Sequence, residues 1–290
     1  MEPAAITAIV VAHDSAAVLP ACLAALARED VAVIVVDNAS ADASAALAEQ
    51  AGARVIRNAR NEGYGRAMNI GMRAAASRRC LLLNPDIVLA PGSVAALKEA
   101  MRAYPEAAML APRLIEPDGR LFFQPRSLLA PFLENEAGAP CRPEGDCCAP
   151  FLSGACLAVE REAVLALGGF DEEIFLFYED DDLCRRVIEA GRSLVHVHQA
   201  VARHERGGSS AARRGRVFKA RWHMAWSAGY VARKYALADP SWRAMPVNAL
   251  KFCGAALIWN RRLMERYGGS AAGAFAWLRG KRALRHEGLA

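Results

Sequence analysis

Four consecutive acids, Glu179, Asp180, Asp181 and Asp182, stand in the stretch FYEDDDLCRR at residues 177–186. Like charges so close repel, and clustering raises carboxylate pKa values. Two readings of the run stand side by side. Acids are favoured in the first turn of a helix, where free amides and the helix dipole attract negative charge. Capping of that kind accounts for one or two acids. A carboxylate at the rim of an apolar pocket, which the preceding FLFY would supply, can instead act as a general base.

Other polar clusters follow apolar runs. Asn84-Pro85-Asp86 comes directly after CLLL, and Ala12-His13-Asp14 ends the run ITAIVVA. Asp37-Asn38-Ala39-Ser40 ends the run VAVIVV. Asp86 could ligate a divalent cation, since hard cations take oxygen ligands and bridge diphosphates. The plainer alternative is that Asp, Asn and Ser cap the helices that follow. His204 lies in RHERGGSS; His13, His204 and His198 fall at expected strand ends, while His196 and His198 alternate with valine.

These clusters need elements to position them. The runs at 6–12, 31–36, 54–56 and 80–83 read as strands, and helical spacing fills 18–27, the segment before 51 and 65–77. Strand–helix alternation implies an α/β fold with a parallel, doubly wound sheet. Ligands of such sheets sit at the carboxyl ends of the strands, where the three polar loops lie. No GxGxxG follows the first strand and no GxxxxGK[ST] occurs, which argues against a dinucleotide site or a P-loop. Further along, a helix is expected over 91–104, a strand pair over 109–123 around Glu116–Gly119, and a loop over the proline-rich 125–150. Short helices are expected at 161–167 and 179–190 and a strand at 193–198. Beyond His204, amphipathic basic stretches run over 213–237, 242–266 and 271–286.

The chain has 290 residues, 54% hydrophobic and 23% charged, enough for a sizeable core. From Arg203 to Ala290 there are 18 Lys/Arg against 4 Asp/Glu, while residues 1–202 hold 18 against 27. An acidic body with a basic tail suggests a polyanionic partner such as anionic lipid, a phospholipid-linked substrate or nucleic acid. Eight cysteines without CxxC spacing read as free thiols of a cytoplasmic protein. The N-terminus lacks a basic signal-peptide region, and the run at 252–259 is too short to span a bilayer.

Together the motifs VVDNASADAS (35–44), NEGYGRAMNIG (61–71), LLLNPD (81–86), SGACLAVERE (153–162), GGFDEEIFLFYEDDDLCRR (168–186) and HERGGSS (204–210) carry a resemblance. The chain resembles a family 2 glycosyltransferase of GT-A fold, near the bacterial rhamnosyltransferase-like branch. The resemblance implies a Rossmann-like, mostly parallel sheet flanked by helices in a catalytic domain over 1–210. Within it, 1–104 would bind the nucleotide-sugar and 105–210 the acceptor, followed by a helical region over 211–290. It implies an inverting transfer from a nucleotide-sugar, dTDP-rhamnose or a UDP-sugar, to a glycan or polyprenyl-diphosphate-linked acceptor in cell-surface polysaccharide synthesis.

The same resemblance distributes roles. Asp180 would be the catalytic base, supported by Glu179 and Asp182. Ala12, His13, Asp14, Asp37, Asn38, Asn61, Gly63, Asn84 and Asp86 would bind the donor. Ser153 and Gly154, with Glu179, would face the acceptor. Asp86 and His204 would hold Mg²⁺ or Mn²⁺. Two departures stand out: Asn84 replaces the first acid of the family's DxD motif, and Ala12-His13-Asp14 stands where an aromatic-Asn pair is common. The basic tail, with Trp222, Trp226, Trp242, Trp259 and Trp277, suits peripheral contact with an anionic membrane at the inner face of the cytoplasmic membrane. Rival readings are a sugar nucleotidyltransferase, whose Gly-rich basic loop is missing, and a nucleic-acid- or carbohydrate-binding non-enzyme. No nucleic-acid-binding signature is present.

Overall fold

The strands that carry the polar loops form the centre of a single sheet. The computed structural model describes residues 6–29, 31–123, 129, 143–205 and 215–283. In it β1 (Ile6–Ala12), β2 (Ala32–Asp37), β3 (Arg54–Arg57) and β4 (Arg79–Leu83) lie in the order β3-β2-β1-β4, all parallel. β1 and β4 are buried throughout, as unbroken apolar runs require of strands covered on both faces. Helices α1 (Leu19–Ala27), α2 (Ser44–Gln50) and α3 (Tyr64–Ala74) make the crossovers. Val10 pairs with Val35 on one side and Leu83 on the other. Three strands therefore end together, and the loops after Ala12, Asp37 and Leu83 leave one sheet edge.

The second half of the sheet mixes directions. It comprises β5 (Ile87–Leu89), β6 (Ala107–Ile115), β7 (Leu121–Phe122), β8 (Cys147–Cys148), β9 (Cys156–Glu160) and β10 (Ser193–His204). Helices α4 (Ser93–Ala103), α5 (Arg161–Ala166) and α6 (Glu179–Glu189) accompany them. The order continues β4-β9-β6-β10-β5. β9 runs antiparallel to β4 and β6, β5 runs antiparallel to β10, and β6 and β10 are parallel. The sheet is thus mostly parallel with an antiparallel insertion that the sequence reading did not anticipate. β9 runs straight into α5 without a breaker, and β5 and β8 have only three and two residues. The expected strand pair is β6 and β7, with the turn closed by Gly119 N donating to Glu116 O at 2.8 Å. β10 extends six residues past the expected end because a bulge between Val197 and Val201 lets it run on to His204. Of the loop expected over 125–150, residues 125–128 and 130–142, Cys141 among them, lie outside the described residues. Cys147 and Cys148 are strand, not loop. The cysteines among the described residues are free thiols.

The chain divides into two compact units. Every strand belongs to the first. The second consists of α7 (Arg216–Lys234), α8 (Ser241–Leu257) and α9 (Arg261–Leu278), together with the segments Glu62–Gly65 and Asp171–Glu179. Its core gathers Trp222, Trp226 and Trp277 with Phe175, Phe218 and Tyr230. Three of the five tryptophans assigned from sequence to a membrane interface are therefore core residues; Trp242 and Trp259 are exposed. The last two helices part at Ile258–Asn260, not near 266–271. Trp259 takes a φ of +50° there, and the Asn260 side chain caps α9 by accepting from Leu263 N at 3.1 Å. No helix among the described residues is long and apolar enough to cross a membrane.

Candidate active site

The loops after β1 and β2 are stitched into one wall. Asn38 N donates to Ala12 O at 2.7 Å, and His13 Nδ1 lies 2.9 Å from Asn38 O. Asn38 Nδ2 donates to Asn61 Oδ1 at 2.8 Å, while Asn58 Nδ2 donates to Asn38 Oδ1 at 3.0 Å. Asp14 Oδ1 accepts from Ala41 N at 2.8 Å, and Asp14 N donates to Ser40 Oγ at 3.0 Å. Asp14 and Ala39 hold φ values of +52° and +60°, strain of the kind that persists at functional sites. Two residues missed in the sequence complete the wall. Asp42 Oδ2 accepts from Ala16 N and Ser44 Oγ from Ser15 N, at 2.9 and 2.8 Å. Both look like ordinary helix-start residues, and only the strand register shows what they reach.

Asp37 ends β2 inside this wall. It is 5% exposed, and its Oδ1 has no hydrogen-bond partner among the described residues. A buried acceptor without a donor costs about 1–3 kcal/mol, more when charged.

A second open carboxylate lies beyond β4. The antiparallel pairing of β5 with β10 sets Ile87 opposite His204, and Glu205 N donates to Asp86 O at 3.0 Å. That register brings Asp86 and His204 side chains together, with Nε2 and Oδ1 3.5 Å apart. This is too long for a good hydrogen bond. Asp86 Oδ1 and His204 Nδ1 are buried without hydrogen-bond partners among the described residues. One carboxylate and one imidazole fit a divalent cation that draws its other ligands from substrate oxygens and water. Among the described residues no group of three or more His, Cys, Asp or Glu is placed to hold a metal alone. Asn84 N donates to Ala155 O at 2.9 Å, which ties this loop to the start of β9. Burial and the Asp86 charge push the nearby Cys22 thiol up to about 12, leaving it unreactive.

The four acids divide. Asp180 is half-buried; its Oδ2 accepts from Gly154 N and its Oδ1 from Asp181 N, both at 3.0 Å. Burial raises its carboxyl above the ordinary value, only partly offset by these amides. A carboxylate so held is equipped to take a proton. Through Gly154 and Ala155 it is connected to the Asn84 loop, and Ser153 Oγ accepts from Ala155 N at 3.3 Å. Asp182 is fully buried in an ion pair with Arg186, at 2.7 Å. Arg186 also donates to Leu167 O and Gly169 O at 2.8 and 2.7 Å. Asn69 closes the same turn, donating to Phe170 O and accepting from Phe170 N, both at 2.8 Å. Gly169 sits at φ +69°, and a Cβ there would come within 2.3 Å of Asn69 Oδ1. The Asp182 charge is thus committed to holding the Gly168–Phe170 turn. Asp181 is half-buried.

Glu179 is 7% exposed and opens α6 directly after Phe177 and Tyr178, whose φ values are +67° and +70°. Two consecutive left-handed non-glycine residues cost on the order of 1–3 kcal/mol each. In the helical unit, Ser227 Oγ donates to Leu176 O at 3.0 Å and steadies this segment. Gly63 belongs to that unit as well, at φ +84°, where a Cβ would meet Phe175 O at 2.4 Å. His196 packs edge-on against Phe123, and burial lowers its pKa to about 4. His198 N donates to Asp146 Oδ1 at 2.7 Å. Both histidines serve the strand.

Residues 7–168, more than half the chain, match the family described as Glycosyl transferase family 2. The N-acetylglucosaminyl-diphospho-decaprenol L-rhamnosyltransferase of Mycobacterium tuberculosis is 31% identical over 224 residues, 66% of this chain and 71% of that protein. Among solved structures, the mannosyltransferase PcManGT of Pyrobaculum calidifontis, in complex with GDP-Man and Mn2+, aligns with a TM-score of 0.58 at 16% identity. It covers 96% of this chain and 88% of its own. S. aureus TarS 1-349, in complex with UDP-GlcNAc, aligns at 0.56 and 14% identity over 98% and 97%. At such identities these structures show the fold alone, and that fold is GT-A.

Proposed function

The chain belongs to glycosyl transferase family 2 and is a glycosyltransferase that uses a nucleotide-sugar donor; we propose which transfer it performs and with which residues. The donor is dTDP-rhamnose and the acceptor a hydroxyl of a sugar on a polyprenyl diphosphate. The rhamnosyl and diphospho-decaprenol parts of the mycobacterial relative's name support both choices. The observation that carries the assignment is the pair of buried carboxylate oxygens without hydrogen-bond partners among the described residues, Asp37 Oδ1 at the end of β2 and Asp86 Oδ1 just beyond β4. One suits a nucleoside donor group and the other a cation.

In this reading residues 1–104 bind the donor and 105–210 shape the acceptor side. Asp37 and Asn38, with the wall from His13, Asp14 and Asn61, hold the nucleoside. Asp86 and His204 hold Mg²⁺ or Mn²⁺, which when bound neutralises diphosphate charge. Gly154 N and Asp181 N fix the Asp180 carboxylate as base. Asp180 takes the proton of the acceptor hydroxyl; the oxygen forms a bond to the sugar C1; the bond from C1 to the diphosphate oxygen breaks, and the nucleoside diphosphate leaves. Displacement from the opposite side inverts the anomeric centre.

The test is incubation with dTDP-rhamnose or UDP-sugars, Mn²⁺ and a polyprenyl-diphosphate N-acetylglucosamine acceptor, with products read by mass spectrometry. A rhamnosylated lipid and free dTDP are expected. Transfer from a UDP-sugar alone would replace the donor. Pyrophosphate release from a nucleoside triphosphate and a sugar phosphate, with no transfer, would overturn the reading in favour of a nucleotidyltransferase.

A further inference from the structure

Helix α8 carries an outward face that nothing in the described fold covers. Six of the seven exposed large hydrophobic residues lie between Trp242 and Trp259. Four of them are exposed by 72% (Trp242), 75% (Leu250), 83% (Leu257) and 86% (Trp259). Trp242, Pro246, Leu250, Cys253 and Leu257 recur at steps of four, four, three and four residues, so they share one stripe of the helix. Leu257, Ile258 and Trp259 then form the corner into α9, where the positive φ of Trp259 turns the chain. Soluble surfaces scatter such residues singly; a contiguous patch marks a docking surface.

The charge around the patch selects its occupant. Residues 240–264 hold Arg243, Lys251, Arg261 and Arg262 and neither Asp nor Glu. A second copy meeting this face by two-fold symmetry would set the same four cations against one another, with no acid inside the segment and only Asp239 and Glu265 at its borders. An anionic lipid surface supplies the complementary charge. It also takes tryptophan at headgroup level and lets the long stems of Arg and Lys lie along apolar surface.

We propose that the outer face of α8 and the Leu257–Trp259 corner insert into the interface of an anionic membrane, as a surface-lying helix that does not span it. The proposal rests on the lipid-linked acceptor reading for its purpose, since such an acceptor is met at a membrane surface. Its evidence is independent of the transfer chemistry.

The experiment is co-sedimentation of the full chain with phosphatidylcholine vesicles, with and without phosphatidylglycerol, without donor or acceptor. Binding is expected only with phosphatidylglycerol, accompanied by a blue shift of tryptophan emission and weakened by salt. The Leu257→Glu/Trp259→Glu double variant should bind at least about tenfold more weakly. Its thermal melt should match wild type, because both side chains are already exposed. Asp180→Asn should bind vesicles normally while losing transfer, which separates failure of this surface from failure of the enzymatic reading. Wild type that ignores phosphatidylglycerol vesicles, or a double variant that binds like wild type, would overturn the proposal. So would a dimer in sedimentation velocity that the double variant dissociates.

Discussion

Among the described residues, the sheet unit leaves carboxylate oxygens at two strand ends buried without hydrogen-bond partners, whereas the helical unit carries all seven of the exposed large hydrophobic residues. Asp37 Oδ1 and Asp86 Oδ1 sit inside the fold without donors, whereas Leu257 and Trp259 stand in water without packing partners. Each arrangement is unfavourable in the protein alone, for opposite reasons. The first is relieved by a small ligand that brings donors and positive charge. The second is relieved by an extended apolar surface. The contrast sets the chemistry proposed for one unit against the attachment proposed for the other, and each half of it can be broken.

The largest expected effect distinguishes the acids of the sheet unit from one another. Arg186→Met removes the ion pair of the fully buried Asp182 carboxylate, and should destabilise the sheet unit by about 3–5 kcal/mol in denaturant melts. A loss well under 1 kcal/mol would return Asp182 to the list of catalytic candidates. Asp86→Ala comes next. It removes the carboxylate half of the cation pair, and transfer should fall about a hundredfold, with Mn²⁺ no longer tightening nucleotide binding in titration calorimetry. Unchanged Mn²⁺ dependence would move the metal site elsewhere.

The smallest effect compares the units through one histidine in each. Burial lowers His196 in the sheet unit and His223 in the helical unit to about 4, below the ordinary 6.5. His223 stacks on Phe175, with ring centroids 4.5 Å apart, and Lys219 adds to the shift. Each histidine stays neutral in the fold, so between pH 6.5 and about 4 the unfolded chain binds more protons. Stability is therefore present above 6.5 and falls as pH drops through that window. His223→Phe should remove about 3 kcal/mol of the acid loss, leaving the His196 share. A pH–stability profile identical to wild type would contradict burial as the cause.

The parallel half of the sheet was legible because β-branched and leucine runs with polar ends have few other interpretations. Val10, Val35 and Leu83 are buried and aligned as the run pattern requires. The antiparallel insertion was not, since CLAVE flows into α5 without a turn residue and pairs with strands distant in sequence. Asp86 could be singled out as a strand-end acid, but its approach to His204 depends on the β5–β10 register, which no local pattern encodes. The acid run was visible; its division was not, because the burial of Asp182 and its i,i+4 pairing with Arg186 follow from how α6 packs. In the helical unit the tryptophans were conspicuous, but the side each one faces follows from helix packing. Trp226 and Trp277 meet edge-on in the core while Trp242 and Trp259 face outward.

The central claim is that Asp180 is the base on a donor-binding sheet edge, and one paired measurement tests it most directly. Rates of transfer and affinities for dTDP with Mn²⁺ are compared for wild type and Asp180→Asn across pH. The account predicts a rate reduced by about 10²–10⁴-fold in Asp180→Asn with nucleotide affinity kept. In wild type, the acid limb of the rate profile should have its midpoint above the ordinary aspartate value of 3.8, because burial raises this carboxyl. Turnover by Asp180→Asn near the wild-type rate, with the acid limb unmoved, would contradict it.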